Sequence, residues 1–221
     1  ITGFVNSDTE SSLDTGVSIA RATGEDVNTY TITPSGAVDS NYDISFVTAD
    51  FSITKAALTV TADSGQTKVY GATDPALTYT ITGFVNSDTE SSLDTGVSIA
   101  RATGEDVNSY TITPSGAVDS NYTVSFVTAD FSITKAALTV TADSGQTKVY
   151  GATDPALTYT ITGFVNSDTE SSLDTGVSIA RATGEDVDTY TITPSGAADS
   201  NYTVSFVTAD FTITSKSITD T

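Results

Sequence analysis

Asp88, Glu90 and Asp94 lie within one seven-residue stretch, and Glu105–Asp106 and Asp119–Ser120–Asn121 follow in the same segment. Carboxylates with nearby carbonyls are the ligands a hard cation such as calcium prefers. Asp88, Glu90, Asp94 and Asp119 are therefore the candidate metal ligands, and calcium is the candidate cofactor. Their spacing does not fit an EF-hand loop, which needs oxygens at alternating positions and a distal bidentate Glu. A solvated acidic surface explains the same residues without any ligand.

Two further groups have reactive or binding side chains. Lys68 and Lys148 could each form an intramolecular amide with an Asn or Asp beside a buried acid, and a solvated strand lysine is the plainer reading. Tyr70, Tyr110 and Tyr122 stand beside turns. They could form a sugar platform, but a buried corner with the hydroxyl tied to backbone is the commoner use. Catalysis finds little support. The chain has no His and no Cys, so the usual bases and nucleophiles are missing, and carboxylate-driven glycoside cleavage needs a cleft that a small sandwich seldom has.

Eight Lys and Arg against 28 Asp and Glu give a net charge of −20. That field repels nucleic acid and anionic membrane surfaces. No apolar run is long enough to span a bilayer and no stretch resembles a signal peptide. The chain starts without Met and in mid-repeat, so it reads as an excerpt of something longer.

These residues recur because the whole chain is one unit repeated. Ile1–Val5 returns at 81–85 and at 161–165, a period of 80 residues. The reading is a partial repeat at 1–54 that lacks its N-terminal strands, complete repeats at 55–134 and 135–214, and a divergent tail at 215–221. The partial repeat differs from 81–134 at three positions, and the two complete repeats differ at four.

Within a unit, Leu58, Val60 and Ala62 alternate with threonines, the period-two mark of a half-buried strand. Further strands are expected at Gln66–Tyr70, across Leu77, Tyr79 and Ile81, and at Val97–Arg101, Ser109–Thr113, Tyr122–Val127 and Phe131–Thr134. Ser87-Asp88-Thr89-Glu90 has capping-box spacing for a short helical turn. Seven short strands predict an all-β fold: tandem Ig-like antiparallel β-sandwich repeats, with a grasp-like sheet around a short helix as the alternative. Phe131 and Ile133 share one parity and Leu138 and Val140 the other, so the buried face switches at Lys135–Ala137. No flexible linker lies there, which predicts a stiff, rod-like array.

The run Lys68-Val69-Tyr70-Gly71-Ala72-Thr73-Asp74-Pro75-Ala76-Leu77-Thr78-Tyr79, with Gly83-Phe84, Asp88, Tyr110, Asn121-Tyr122 and Ile133-Thr134-Lys135, resembles the MBG domain of bacterial surface proteins, whose hallmark is a Tyr-Gly-x loop. Ser87, where the family often has Gly, and Asp106–Ser109, where a Pro-Val-Gly-Thr run is common, depart from that pattern. The resemblance implies a non-enzymatic stalk repeat of an extracellular or cell-surface adhesin. Its partners would be neighbouring repeats of the same chain. Two alternatives stay open: a self-associating filament segment, since 1–54 should expose sheet edges, and a glycan- or protein-binding module.

Overall fold

The computed structural model describes residues 1–220. The partial repeat forms β1 (Ser18–Arg21), β2 (Asn28–Ser35) and β3 (Ala49–Ile53). The second repeat forms β4 (Ala56–Ala62), β5 (Gln66–Val69), β6 (Tyr79–Thr82), β7 (Ser98–Arg101), β8 (Ser109–Ser115), β9 (Tyr122–Val127) and β10 (Ala129–Thr134). The third repeats this set as β11 (Ala136–Ala142), β12 (Gln146–Val149), β13 (Tyr159–Thr162), β14 (Ser178–Arg181), β15 (Thr189–Ser195), β16 (Tyr202–Val207) and β17 (Ala209–Thr214). All seven expected strands of the unit are present. The threonine alternation works as expected in β4, where Leu58, Val60 and Ala62 are buried and the residues between them are not fully covered.

Each complete repeat folds its strands into two small sheets. One is three-stranded, in the order β6-β4-β9 or β13-β11-β16. The other is four-stranded, in the order β5-β10-β8-β7 or β12-β17-β15-β14. The all-β sandwich expectation holds, with one refinement: the sheets are mixed rather than wholly antiparallel. β4 runs parallel to β9 and β5 runs parallel to β10. Each parallel pair is joined through most of the repeat, which is ample chain for the crossover that parallel strands require. Among the described residues the helical elements are single 3-10 turns, Glu10–Ser12, Glu90–Ser92 and Glu170–Ser172, so there is no helix for a grasp-like sheet to wrap.

By packing, the chain divides into two compact units whose border runs inside the second repeat. The first unit holds residues 1–61, 80–98 and 114–127. In it, Asn121 joins the partial repeat to the next. Its Oδ1 accepts the Val27 amide at 2.8 Å and its Nδ2 donates to Asp26 at 3.1 Å. Among the described residues the first repeat has no counterpart of β4 or β5. β3 lies at a sheet edge where β10 has β5 beside it, and Phe51 is 42% exposed while its equivalent Phe131 is fully buried. Residues 42–47 form no strand although they match β9 almost letter for letter, because the parallel partner equivalent to β4 is not there.

The second unit holds the four-stranded sheet of the second repeat and both sheets of the third. Its main core mixes the two repeats: Ile112, Phe131 and Ile133 from one pack with Ala136, Leu138 and Tyr202 from the next. Lys135 alone separates β10 from β11. Phe131 and Ile133 on one side of it, and Ala136, Leu138 and Val140 on the other, are the buried residues. The expected change of buried face therefore falls at that residue.

Candidate functional site

The Tyr-Gly loop after β5 is where the chemistry of the repeat concentrates. Tyr70 is buried in contact with the following repeat. Its hydroxyl donates to Asp168 Oδ2 at 3.0 Å, and its ring meets Tyr202 edge-on at 5.4 Å between centroids. The receiving corner is itself ordered. The Tyr202 hydroxyl donates to the same Asp168 oxygen at 2.7 Å and accepts the Val165 amide at 3.0 Å. Burial, the largest effect, pushes the Tyr202 phenol up to about 12; the Val165 backbone hydrogen bond opposes it, and the Asp168 carboxylate adds to the rise. It stays a donor at any physiological pH.

Gly71 follows in the left-handed region at φ +80°, and a Cβ there would run into the Val165 side chain. Glycine is thus required twice, by conformation and by close approach. A second strip of the joint repeats the pattern seen in the first unit: Asn201 Oδ1 accepts the Val107 amide at 2.8 Å and its Nδ2 donates to Asp106 at 3.1 Å. The Asp106–Ser109 run that departs from the family pattern therefore lies at a contact between repeats.

Three residues further along the same loop, Asp74 ties a charged cluster together. Its oxygens take Arg101 Nε at 2.6 Å, Arg101 Nη2 at 3.0 Å and Lys68 Nζ at 2.6 Å. Glu105 closes the cluster on both cations. Arg101 also lies over the rings of Tyr110 and Phe131, each about 5.2 Å from the guanidinium carbon. Arg101 first and Lys68 second hold the Asp74 carboxyl down at about 2. Burial pulls the Lys68 ammonium down, but Asp74 and Glu105 outweigh it and the balance is upward. The third repeat builds the same cluster from Lys148, Asp154, Arg181 and Glu185.

This corrects the plainer reading of the lysines. Lys68 and Lys148 are not solvated strand residues; each side chain is 4% exposed. Amide formation needs a neutral amine attacking a protonated carboxyl with loss of water. The cluster stabilises the charged form of both groups, so it is built as an ion pair.

The tyrosine expectation is met in varied ways. Tyr110 donates to the Asp106 carbonyl at 2.8 Å, and Tyr122 donates to Asp88 at 2.7 Å while accepting the Val85 amide at 3.0 Å. The partner of Tyr70 in the next repeat was not legible from spacing. The candidate calcium ligands have separate tasks. Asp88 holds Tyr122, Asp94 accepts the Ser120 amide at 2.8 Å, and Asp119 is buried and accepts the Asn121 amide at 2.6 Å. Glu90 opens the 3-10 turn. Among the described residues no group of three or more metal-ligating side chains is close enough to hold an ion.

The cap of that turn is Thr89, not Ser87, and Ser92 Oγ accepts the Thr89 amide at 3.2 Å. Ser87 is instead in the left-handed region at φ +67°, which gives a physical reason for the glycine common at that position.

Two mixed sheets in each complete repeat, a Tyr-Gly corner joining the second repeat to the third and a cluster of paired charges define a tandem β-repeat. The chain belongs to the MBG domain (YGX type) family, which it matches over residues 1–52, 58–132 and 138–212. That family is a structural repeat domain and not a known enzyme family. A comparison with curated proteins gives no match. Among the described residues no helix is long and apolar enough to cross a membrane.

Proposed function

We propose that this chain is a stalk segment of a bacterial extracellular or cell-surface adhesin, acting as a stiff spacer between an anchor and a distal binding or catalytic domain. The observation that carries it is the joint between the second and third repeats. One strand hands over to the next through Lys135 alone, while Tyr70 and Gly71 lock into Val165, Asp168 and Tyr202. A joint with no free linker and a packed side contact resists bending, which is what a spacer needs. The charge of −20 keeps such an array soluble and apart from anionic surfaces.

Small-angle X-ray scattering of the full chain tests this reading. An elongated particle is expected, and Gly71→Val should broaden its distance distribution by loosening one joint. A compact particle, or one unchanged by that substitution, would remove the spacer role.

A further inference from the structure

Tension carried along the chain takes a defined path through a repeat. It enters the third repeat at Lys135, ahead of β11, and leaves it at Thr214, the end of β17. It pulls β11 toward its N-terminal end, and β17, with β16 behind it, toward the C-terminal end. Only Thr208 separates β16 from β17, and the two belong to different sheets, as β11 and β12 do. The opening arm, β11 and β12, and the closing arm, β16 and β17, therefore change sheets together.

These two arms pair with each other and run parallel in both sheets. In the first, β11 lies beside β16 over six residue pairs, from Ala136↔Tyr202 to Thr141↔Val207. In the second, β12 lies beside β17 over four, from Gln146↔Phe211 to Val149↔Thr214. Backbone bonds extend the pairing at both ends: the Ala136 amide donates to the Asn201 carbonyl at 3.0 Å, and the Tyr150 amide to the Thr214 carbonyl at 2.8 Å. Side chains add to it. Ser205 Oγ donates to the Leu138 carbonyl and Thr214 Oγ1 to the Lys148 carbonyl, each at 3.2 Å. Lys135 Nζ, where the tension enters, donates to the Asp199 carbonyl at 2.8 Å.

Opposite pulls on two parallel strands slide one along the other, so the evenly spaced bonds of the ladder are strained together. An antiparallel pair pulled from adjacent ends parts one bond at a time. The ion cluster lies across the strained sheet. Lys148 on β12 and Arg181 on β14, the two edge strands, share Asp154 and Glu185, and the Arg181 guanidinium lies over Tyr190 of β15 and Phe211 of β17. The cluster thus straps every strand of that sheet. The second repeat, which has chain on both sides of it, contains the same two parallel pairs, β4 with β9 and β5 with β10.

We propose that each complete repeat bears tension as a shear clamp, in which the opening and closing arms resist being slid apart. The use of such a clamp rests on the stalk reading, whereas its mechanics rest on the strand pairing alone.

Single-molecule pulling of the full chain in two directions tests this. The chain has no Cys, so a pair of Cys handles is unique. Ala137→Cys with Ser215→Cys pulls the third repeat as the chain itself does. Ala137→Cys with Thr162→Cys instead pulls adjacent ends of the antiparallel pair β11 and β13 and unzips it. All three positions are exposed, and Ala137→Cys is common to both variants, so any loss of stability there weighs on both. Forced unfolding is governed by the unfolding rate, and the 137/215 pair should rupture at a force about twofold or more above the 137/162 pair. Equal forces, or a lower force across 137 and 215, would overturn the proposal. Scattering reads stiffness and not rupture, so an elongated chain that yields equally in both directions would keep the spacer and lose the clamp.

Discussion

At Asp74 a single carboxylate holds two cations, and its titration makes the cluster visible in solution. An unpaired aspartate takes its proton near 3.8, whereas Asp74 and Asp154 take theirs only at about 2 in the folded chain. The unfolded state therefore binds more protons between those values, and stability is lost as pH falls from about 4 toward 2. Thermal melts across that window should show the drop. Asp74→Asn combined with Asp154→Asn should start lower at neutral pH and fall less steeply.

Gly71 and Gly151 offer a cleaner contrast, since both have φ +80° and only Gly71 has a neighbour in the way. Gly151→Ala should cost about 1 kcal/mol for the left-handed backbone. Gly71→Ala should cost about 1–3 kcal/mol more, from crowding against Val165. Urea melts of the two variants separate these effects. Tyr70→Phe should lose about 0.5–1.5 kcal/mol with its hydrogen bond to Asp168, and Tyr150→Phe close to nothing.

Among elements, β9 and its counterpart at 42–47 show that a strand-forming sequence does not make a strand without a partner. Tyr122–Val127 pairs along β4, while 42–47 differs from it at two positions and stays irregular. A ladder supplies the hydrogen bonds that isolated extended chain must seek from water. Hydrogen exchange should therefore find the amides of Thr123–Val127 protected and those of Asp43–Val47 fast. Protection at both, in a dilute monomer, would contradict the pairing argument. The 3-10 turn gives a smaller lesson: two overlapping cap spacings exist in Ser87–Ser92, and the one at Thr89 forms because Ser87 is held in the left-handed region.

For the whole molecule, the ion clusters predict lysines that stay charged and unmodified. The intact mass should equal that of the unmodified sequence, with no loss of water or ammonia at Lys68 or Lys148. A deficit of 18 or 17 Da per repeat, on the order expected for amide closure, would mean that the ion pair of the native state is not its end point. The packing also implies that a repeat is not an independent bead. In the second unit the core of one repeat is completed by Ala136, Leu138 and Tyr202 of the next, so a destabilising change at Tyr202 should also loosen the sheet that precedes it.

The sequence by itself determined the period, the seven strands, the change of buried face at Lys135 and the family, because each is a local pattern written in residue order. Leu58, Val60 and Ala62 announce their strand without help from the rest of the chain. Only the tertiary structure decided which strands run parallel, what Lys68 meets and where Tyr70 is buried. Those depend on partners 37 and 98 residues away, Glu105 and Asp168, and no short-range pattern specifies them. The acidic residues read as calcium ligands show the same limit. Asp88, Asp94 and Asp119 are near in sequence or in type, yet each is taken by a different hydrogen-bond donor once the loops close. A carboxylate in a sequence shows what it can bind, and the fold settles which donor reaches it first.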